Sequence, residues 1–159
     1  MAESEGKLVV SWNELHALTE ELTRKIVESG FVPDYIIAVS RGGLVPATII
    51  SHQLENKNLL SVKAEYYEFD NFAEKTRGTK PKPIIAQGFS QKITGKKILV
   101  IDEVLDTGAT MKAVVRYLQK KKPAELKVAV LHSKPWAKFK PDFEVQSTDR
   151  WVVYPWGKK

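Results

Sequence analysis

The chain has 159 residues, 43% hydrophobic and 28% charged, with a net charge of +6, the balance of a globular protein long enough to bury a core without covalent staples. It has no cysteine, which excludes disulfides and thiolate zinc sites, and His16, His52 and His132 stand at no metal-ligand spacing from one another. No apolar run approaches the roughly 18 residues a membrane-spanning helix needs, and the opening MAESEGK lacks the parts of a signal peptide, so the expectation is a cytoplasmic protein without a membrane partner.

In chain order, Val9 and Val10 form a short extended piece, and Ser11-Trp12-Asn13-Glu14 has the spacing of a capping box. Leu15, Leu18, Leu22 and Ile26 then recur at helical spacing until Gly30. Tyr35 to Val39 is apolar on both faces and too short for a helix, as a central parallel strand would be. Ser40-Arg41-Gly42-Gly43 breaks it, and a helical pattern resumes from Leu44 to Leu54. Leu59 to Tyr67 predicts a strand. From Glu68 to Lys97 the periodicity weakens among glycines and prolines, with Ile84-Ile85-Ala86 and Phe89 predicting a short hairpin. The same region is basic: between Lys63 and Lys97 seven lysines and Arg77 face four acids, which places +4 of the total there. A small polyanionic ligand explains that excess as well as a nucleic acid does, and so does a solvated lysine-rich loop. A long excursion of this kind in a compact domain is more often functional than decorative. Ile98 to Ile101 is a second buried strand, followed by a turn and a helix from about Thr110 to Lys121, closed by Pro123. Leu126 to Leu131 is a third, and the tail from Phe143 to Trp156 alternates short extended pieces. Strands alternating with helices predict an α/β fold with a mainly parallel sheet, in a single domain over 1–159.

Chemistry concentrates in Ile98-Leu99-Val100-Ile101-Asp102-Glu103-Val104-Leu105-Asp106-Thr107-Gly108-Ala109-Thr110. Two adjacent acids stand at a strand's carboxyl end, where open α/β sheets bind ligands. The loop Asp106 to Thr110 offers glycine, two threonine hydroxyls and backbone N–H groups beside a helix N-terminus, which suits a phosphate monoester. Asp102 and Glu103 can accept from vicinal hydroxyls or help hold Mg²⁺, a hard cation that prefers oxygen. Singly, each of these residues reads as readily as a helix cap or a solvated acid; in this order after an apolar strand they do not. In Ser40-Arg41-Gly42-Gly43, two glycines allow close backbone approach to a ligand, consecutive N–H groups form an anion nest, and Arg41 adds a fork for phosphate oxygens. Alone, this loop is equally a plain turn.

The segment from Ile98 to Thr110 resembles the thirteen-residue ribose-phosphate signature of type I phosphoribosyltransferases: a hydrophobic run, two acids, two apolar residues, then Asp-Thr-Gly-x-Thr. Its second acid is Glu103 where Asp is commoner. The stretch from Ile36 to Pro46 resembles the xanthine-guanine branch, in whose pyrophosphate loop a strained or cis peptide is common. The resemblance implies a twisted, mainly parallel sheet flanked by helices, with a flexible hood loop (about 63–97), a small C-terminal and hood subdomain, and a base-binding tail (about 134–156). It implies binding of 5-phosphoribosyl-1-diphosphate by Asp102, Glu103, Asp106, Thr107, Gly108, Ala109 and Thr110, with Asp102 and Glu103 also toward Mg²⁺. Ser40, Arg41 and Gly42 would hold pyrophosphate together with a hood residue, Arg77 before its competitors Lys75 and Lys80. Lys134, Trp151 and Val152 would read the base, Lys134 because an ammonium donates to a 6-oxo oxygen but accepts nothing from an amino group. Asp106 would be the catalytic residue, at purine N7.

The implied products are a nucleoside 5′-monophosphate and pyrophosphate. A homodimer or higher homo-oligomer is expected, and no nucleic-acid partner. The competing readings are a non-catalytic regulator on the same fold, binding nucleotide and nucleic acid, or a transferase for another base.

Overall fold

Ser11 and Glu14 start the first helix as their spacing implies: the Ser11 hydroxyl accepts from the Glu14 N–H at 3.2 Å, and Glu14 Oε2 accepts from the Ser11 N–H at 2.7 Å. This is seen in a computed structural model, which describes residues 6–66 and 82–157. The elements run β1 (Lys7–Val9), α1 (Trp12–Glu28), β2 (Tyr35–Ser40), α2 (Leu44–Gln53), β3 (Leu59–Tyr66) and β4 (Pro83–Gln87). There follow β5 (Lys97–Leu105), α3 (Ala109–Gln119), β6 (Glu125–Ser133), β7 (Phe143–Ser147) and β8 (Trp151–Val153). Among the described residues the main sheet has the order β4-β3-β2-β5-β6-β7, and every pairing in it is parallel except β3 with β4. Strand β8 pairs parallel with β1 in a separate two-stranded sheet.

Period-two alternation in the central strands places the helices. Ile36 and Ala38, Leu99 and Ile101, Ala129 and Leu131 face one way and pack with Leu15, Leu22 and Ile26 of α1 and with Ala47 and Ile50 of α2. Ile37 and Val39, Ile98 and Val100, Val128 and Val130 face the other way and pack with Met111, Val114 and Leu118 of α3. Each fully buried aliphatic side chain contributes about 1.5–3 kcal/mol. With both faces covered, the carboxyl ends of β2, β5 and β6 and the loops that leave them form the accessible edge.

Two expectations need correction. Strand β5 does not stop at Ile101: its ladder with β6 continues through Asp102↔Val130, Val104↔His132 and Leu105↔Ser133, so both acids lie in the strand and not in a turn. Nor do residues 84–89 fold as a hairpin of their own. Pro83–Gln87 is one edge strand, antiparallel to β3 with Tyr66↔Pro83 as the outermost pair, and a proline without an N–H is tolerated at the start of an edge strand.

Candidate active site

Beyond Leu105 the chain turns through Asp106 and Thr107 to Gly108, which stands at φ 88° before α3. A Cβ at Gly108 would come within 2.6 Å of Phe139 Cβ, so the loop lies against the segment that follows β6. The Thr107 hydroxyl accepts from the Ala109 N–H at 3.2 Å. The helix thus begins directly after a short loop, and the orphan N–H groups and dipole of a helix N-terminus favour an anion. A cavity of about 200 Å³ is lined here by Asp102, Leu105, Asp106, Thr107, Gly108 and Thr110, among others. Ala109 is half-buried at the first turn of α3.

Asp102 and Glu103 share a cramped position. The Glu103 N–H donates to Asp102 Oδ1 at 2.9 Å. Burial, and after it the hydrogen bond and like charge of Glu103, pushes the Asp102 carboxyl well above the usual carboxylate range. Opposite them the loop after β2 has a cis peptide between Ser40 and Arg41, and Arg41 is exposed. A Cβ at Gly42 would fall inside the Glu103 carboxylate, and one at Gly43 would lie 2.5 Å from Val39 O and 2.6 Å from Ile101 O. The arginine-glycine loop and the acid pair are therefore in direct apposition. Among the described residues no group of three or more His, Asp or Glu side chains is placed to hold a metal ion.

Lys134 lies at the same edge as Asp106, but its ammonium is buried and donates to the Arg150 carbonyl. Trp151 is 68% exposed and projects from the β1–β8 sheet, while Val152 is half-buried against the core. Trp156 packs on the core, stacked on Tyr154 at 4.8 Å. Arg77, Lys75 and Lys80 fall outside the described residues.

Three residues with no assigned role in the sequence reading join the site. The Trp136 indole N–H donates to Asp106 Oδ1 at 2.9 Å. The buried Tyr154 hydroxyl donates to Glu103 O at 2.9 Å and lies 2.8 Å from Nδ1 of the fully buried His132. With the phenol proton used on Glu103, His132 Nδ1–H must be the donor to Tyr154, which fixes the neutral tautomer. Burial depresses the His132 imidazole; a hydrogen bond with Gln146 opposes this in part, and the charge of Lys134 adds a smaller depression. Burial first, then Glu103 and Asp102, raises the Tyr154 phenol far above its ordinary value. Both groups are neutral at physiological pH. None of the three belongs to a local motif; the closest signal was the Lys-Pro-Trp run after a buried strand. Larger cavities of about 640 and 660 Å³ open at the opposite, amino-terminal edge, around Asn56 and Lys57, away from these groups.

An acid pair, a hydroxyl-rich loop and an arginine-glycine loop meet at the carboxyl edge of the mainly parallel sheet of an α/β protein. Residues 11–158 match the phosphoribosyl transferase domain, and the chain belongs to that family. A xanthine-guanine phosphoribosyltransferase from Idiomarina loihiensis is 32% identical over 155 residues, covering 96% of this chain and 88% of that protein. A solved purine phosphoribosyltransferase from Pyrococcus horikoshii matches with a TM-score of 0.85 and 32% identity, over 97% of this chain and 95% of that one. A Neisseria gonorrhoeae protein solved with bound ppGpp matches with a TM-score of 0.83 and 29% identity, over 96% of this chain and 89% of that one.

Proposed function

We propose that this enzyme transfers the 5-phosphoribosyl group of 5-phosphoribosyl-1-diphosphate to N9 of a 6-oxopurine. The C1′–N9 bond forms as the C1′–oxygen bond to pyrophosphate breaks, and the base gives up a proton. The observation that carries this reading is the convergence on one edge of the acid pair, the Asp106–Thr110 loop, the Arg41 loop and Lys134. Family membership and the printed names of the Idiomarina and Pyrococcus relatives support it.

In this reading the N–H groups and hydroxyls from Thr107 to Thr110 bind the 5′-phosphate, helped by the N-terminal dipole of α3. Asp102 and Glu103 accept from the ribose hydroxyls and would hold Mg²⁺. Two crowded carboxylates, one of them unwilling to ionise beside the other, fit a cation that usually takes one or two carboxylates and completes its shell with water and substrate oxygens. When bound, Mg²⁺ would offset charge on the departing pyrophosphate. Ser40, Arg41 and Gly42 receive that pyrophosphate, Arg41 with a fork matched to its oxygens, and Arg77 adds a second cation. Asp106 takes the proton at N7 as N9 attacks. Lys134 donates to the 6-oxo oxygen, Trp151 stacks on the base and Val152 reads its edge through backbone groups. The whole chain acts as one catalytic domain in a homo-oligomer.

The test is pyrophosphate release with Mg²⁺, the phosphoribosyl donor and a panel of bases. Turnover with guanine, xanthine or hypoxanthine and not with adenine or pyrimidines is expected; no release with any 6-oxopurine would overturn the reading. A nucleotide-sensing role has one observation in its favour, the ppGpp bound to the gonococcal relative. Tight ppGpp binding together with no turnover of any base would favour it.

A further inference from the structure

The last residue of β5 and the two that follow it are held by three alternate residues of the segment after β6. The Lys134 N–H donates to Leu105 O at 2.9 Å, the Trp136 indole to Asp106 Oδ1 at 2.9 Å, and the Lys138 N–H to Thr107 O at 3.0 Å. The outer two are backbone contacts and set where the loop lies. The middle one is a side chain reaching the only carboxylate in that loop. The turn that presents Trp136 contains Pro135 and is closed by the Ala137 N–H donating to Lys134 O at 3.0 Å. The indole therefore leaves a turn anchored on both sides, although the residue is 52% exposed. Its ring centroid also lies 5.6 Å from Lys134 Nζ, within cation–π range.

We propose that Trp136 is a positioning residue for the base: its N–H fixes Asp106 through Oδ1, leaving Oδ2 for N7, and its ring face locates the Lys134 ammonium. The inference rests on the assignment of Asp106 and Lys134 to the base. In a 6-oxopurine, N7 and the 6-oxo oxygen are neighbours on one edge, so an acceptor and a donor must be held at a set separation to read them together. An exposed loop aspartate with no side-chain partner would sample several rotamers, and only some would meet N7. A donor locked onto one oxygen removes that freedom before the base arrives, and a hydrogen bond to a carboxylate is strong enough to do so. The indole spans both groups, which no other described side chain does.

The experiment compares wild type, Trp136→Phe, Asp106→Ala and the double variant, measuring kcat, the two KM values and Tm. Phenylalanine keeps a ring face for Lys134 and loses only the N–H. Loss of one hydrogen bond to a charged group should lower kcat by about tenfold, with KM for the phosphoribosyl donor unchanged within about twofold. Tm should move by no more than about 1–2 °C, because a half-exposed ring contributes little to packing. On the Asp106→Ala background, Trp136→Phe should cause no further fall in kcat, which separates action through Asp106 from a general structural role. Wild-type kcat in Trp136→Phe, or two losses that multiply in the double variant, overturns the proposal. Wild-type turnover in Asp106→Ala overturns the reading of Asp106 beneath it, and the single variant alone reveals that.

Discussion

Gly42 and Gly43 are adjacent, yet replacing each with alanine should fail in opposite ways. A Cβ on Gly43 lies 2.5 Å from Val39 O, 2.6 Å from Ile101 O and 3.1 Å from Asp102 Cα, all of them backbone atoms of the two central strands. Those strands are hydrogen-bonded to each other from Tyr35↔Ile98 to Ala38↔Ile101 and cannot retreat without breaking the ladder. Overpacking of that kind costs about 1–3 kcal/mol or more, and at about 2–4 °C per kcal/mol for a chain of this size the upper value lowers Tm by about 6–12 °C. The three atoms nearest a Cβ on Gly42 all belong to the carboxylate end of Glu103, a flexible side chain that can swing aside. Folding stability should then change by no more than about 0.5 kcal/mol, while on the proposed assignment the displaced carboxylate would no longer share Mg²⁺ with Asp102. Thermal unfolding and pyrophosphate release, run on both variants over a Mg²⁺ series, give the two readouts. The expected pattern is a low Tm for Gly43→Ala, and for Gly42→Ala a near-normal Tm with a raised Mg²⁺ requirement and reduced turnover. A Gly42→Ala protein with wild-type Mg²⁺ dependence would refute the apposition of this loop and the acid pair as the basis of donor binding.

Tyr154→Phe removes one donor to Glu103 O and one acceptor for His132 Nδ1, leaving two buried polar groups unpaired, so it should cost about 2–4 kcal/mol in denaturant unfolding and raise KM for the phosphoribosyl donor. Because His132 is depressed below its ordinary 6.5, the unfolded chain binds a proton there that the folded chain refuses. Stability is thus fully present above that value and falls on acidification by up to about 1.4 kcal/mol per pH unit until the depressed value is reached. A His132→Asn variant should lose this slope; an unchanged slope would assign it to other groups. Asp102 has the opposite sign: its raised carboxyl is protonated more readily when folded, so stability is lost as pH rises from the ordinary 3.8 through the raised value. Without Mg²⁺ at neutral pH, Asp102→Asn should unfold at a higher temperature than wild type while its turnover drops by about 100-fold, and a lower Tm would contradict the crowding of the acid pair.

What the sequence made legible was local or repetitive. The capping box is a four-residue pattern, and the apolar runs at Tyr35, Ile98 and Leu126 announce buried parallel strands because neither face can be wet. Their ends were less legible. Asp102 and Glu103 look like turn residues, yet β6 continues beside them, and a ladder partner decides the conformation of a residue more than its own polarity does. Asp106 and Lys134 each follow a buried parallel strand, which implies one sheet edge for both, and they lie there. Trp136 and Tyr154 reach Asp106 and Glu103 from 30 and 51 positions away, the latter through a backbone carbonyl, and His132 joins only through Tyr154, so none of the three leaves a trace in a local pattern.

Those unseen contacts bear on how the two halves of the reaction are joined. The ribose-phosphate segment identifies a donor and says nothing of the acceptor, and the tail that would read the base lies about 30–50 residues later. In the folded chain they are one structure: Tyr154, two residues past Val152, holds the Glu103 carbonyl, and Trp136, two residues past Lys134, holds the Asp106 carboxylate. Each group assigned to the base is therefore a close chain neighbour of a group that fixes the donor segment. A substitution at Val152 that displaces Tyr154 shifts Glu103 as well, and its kinetic signature should appear in the constants for the phosphoribosyl donor, and not in those for the base alone.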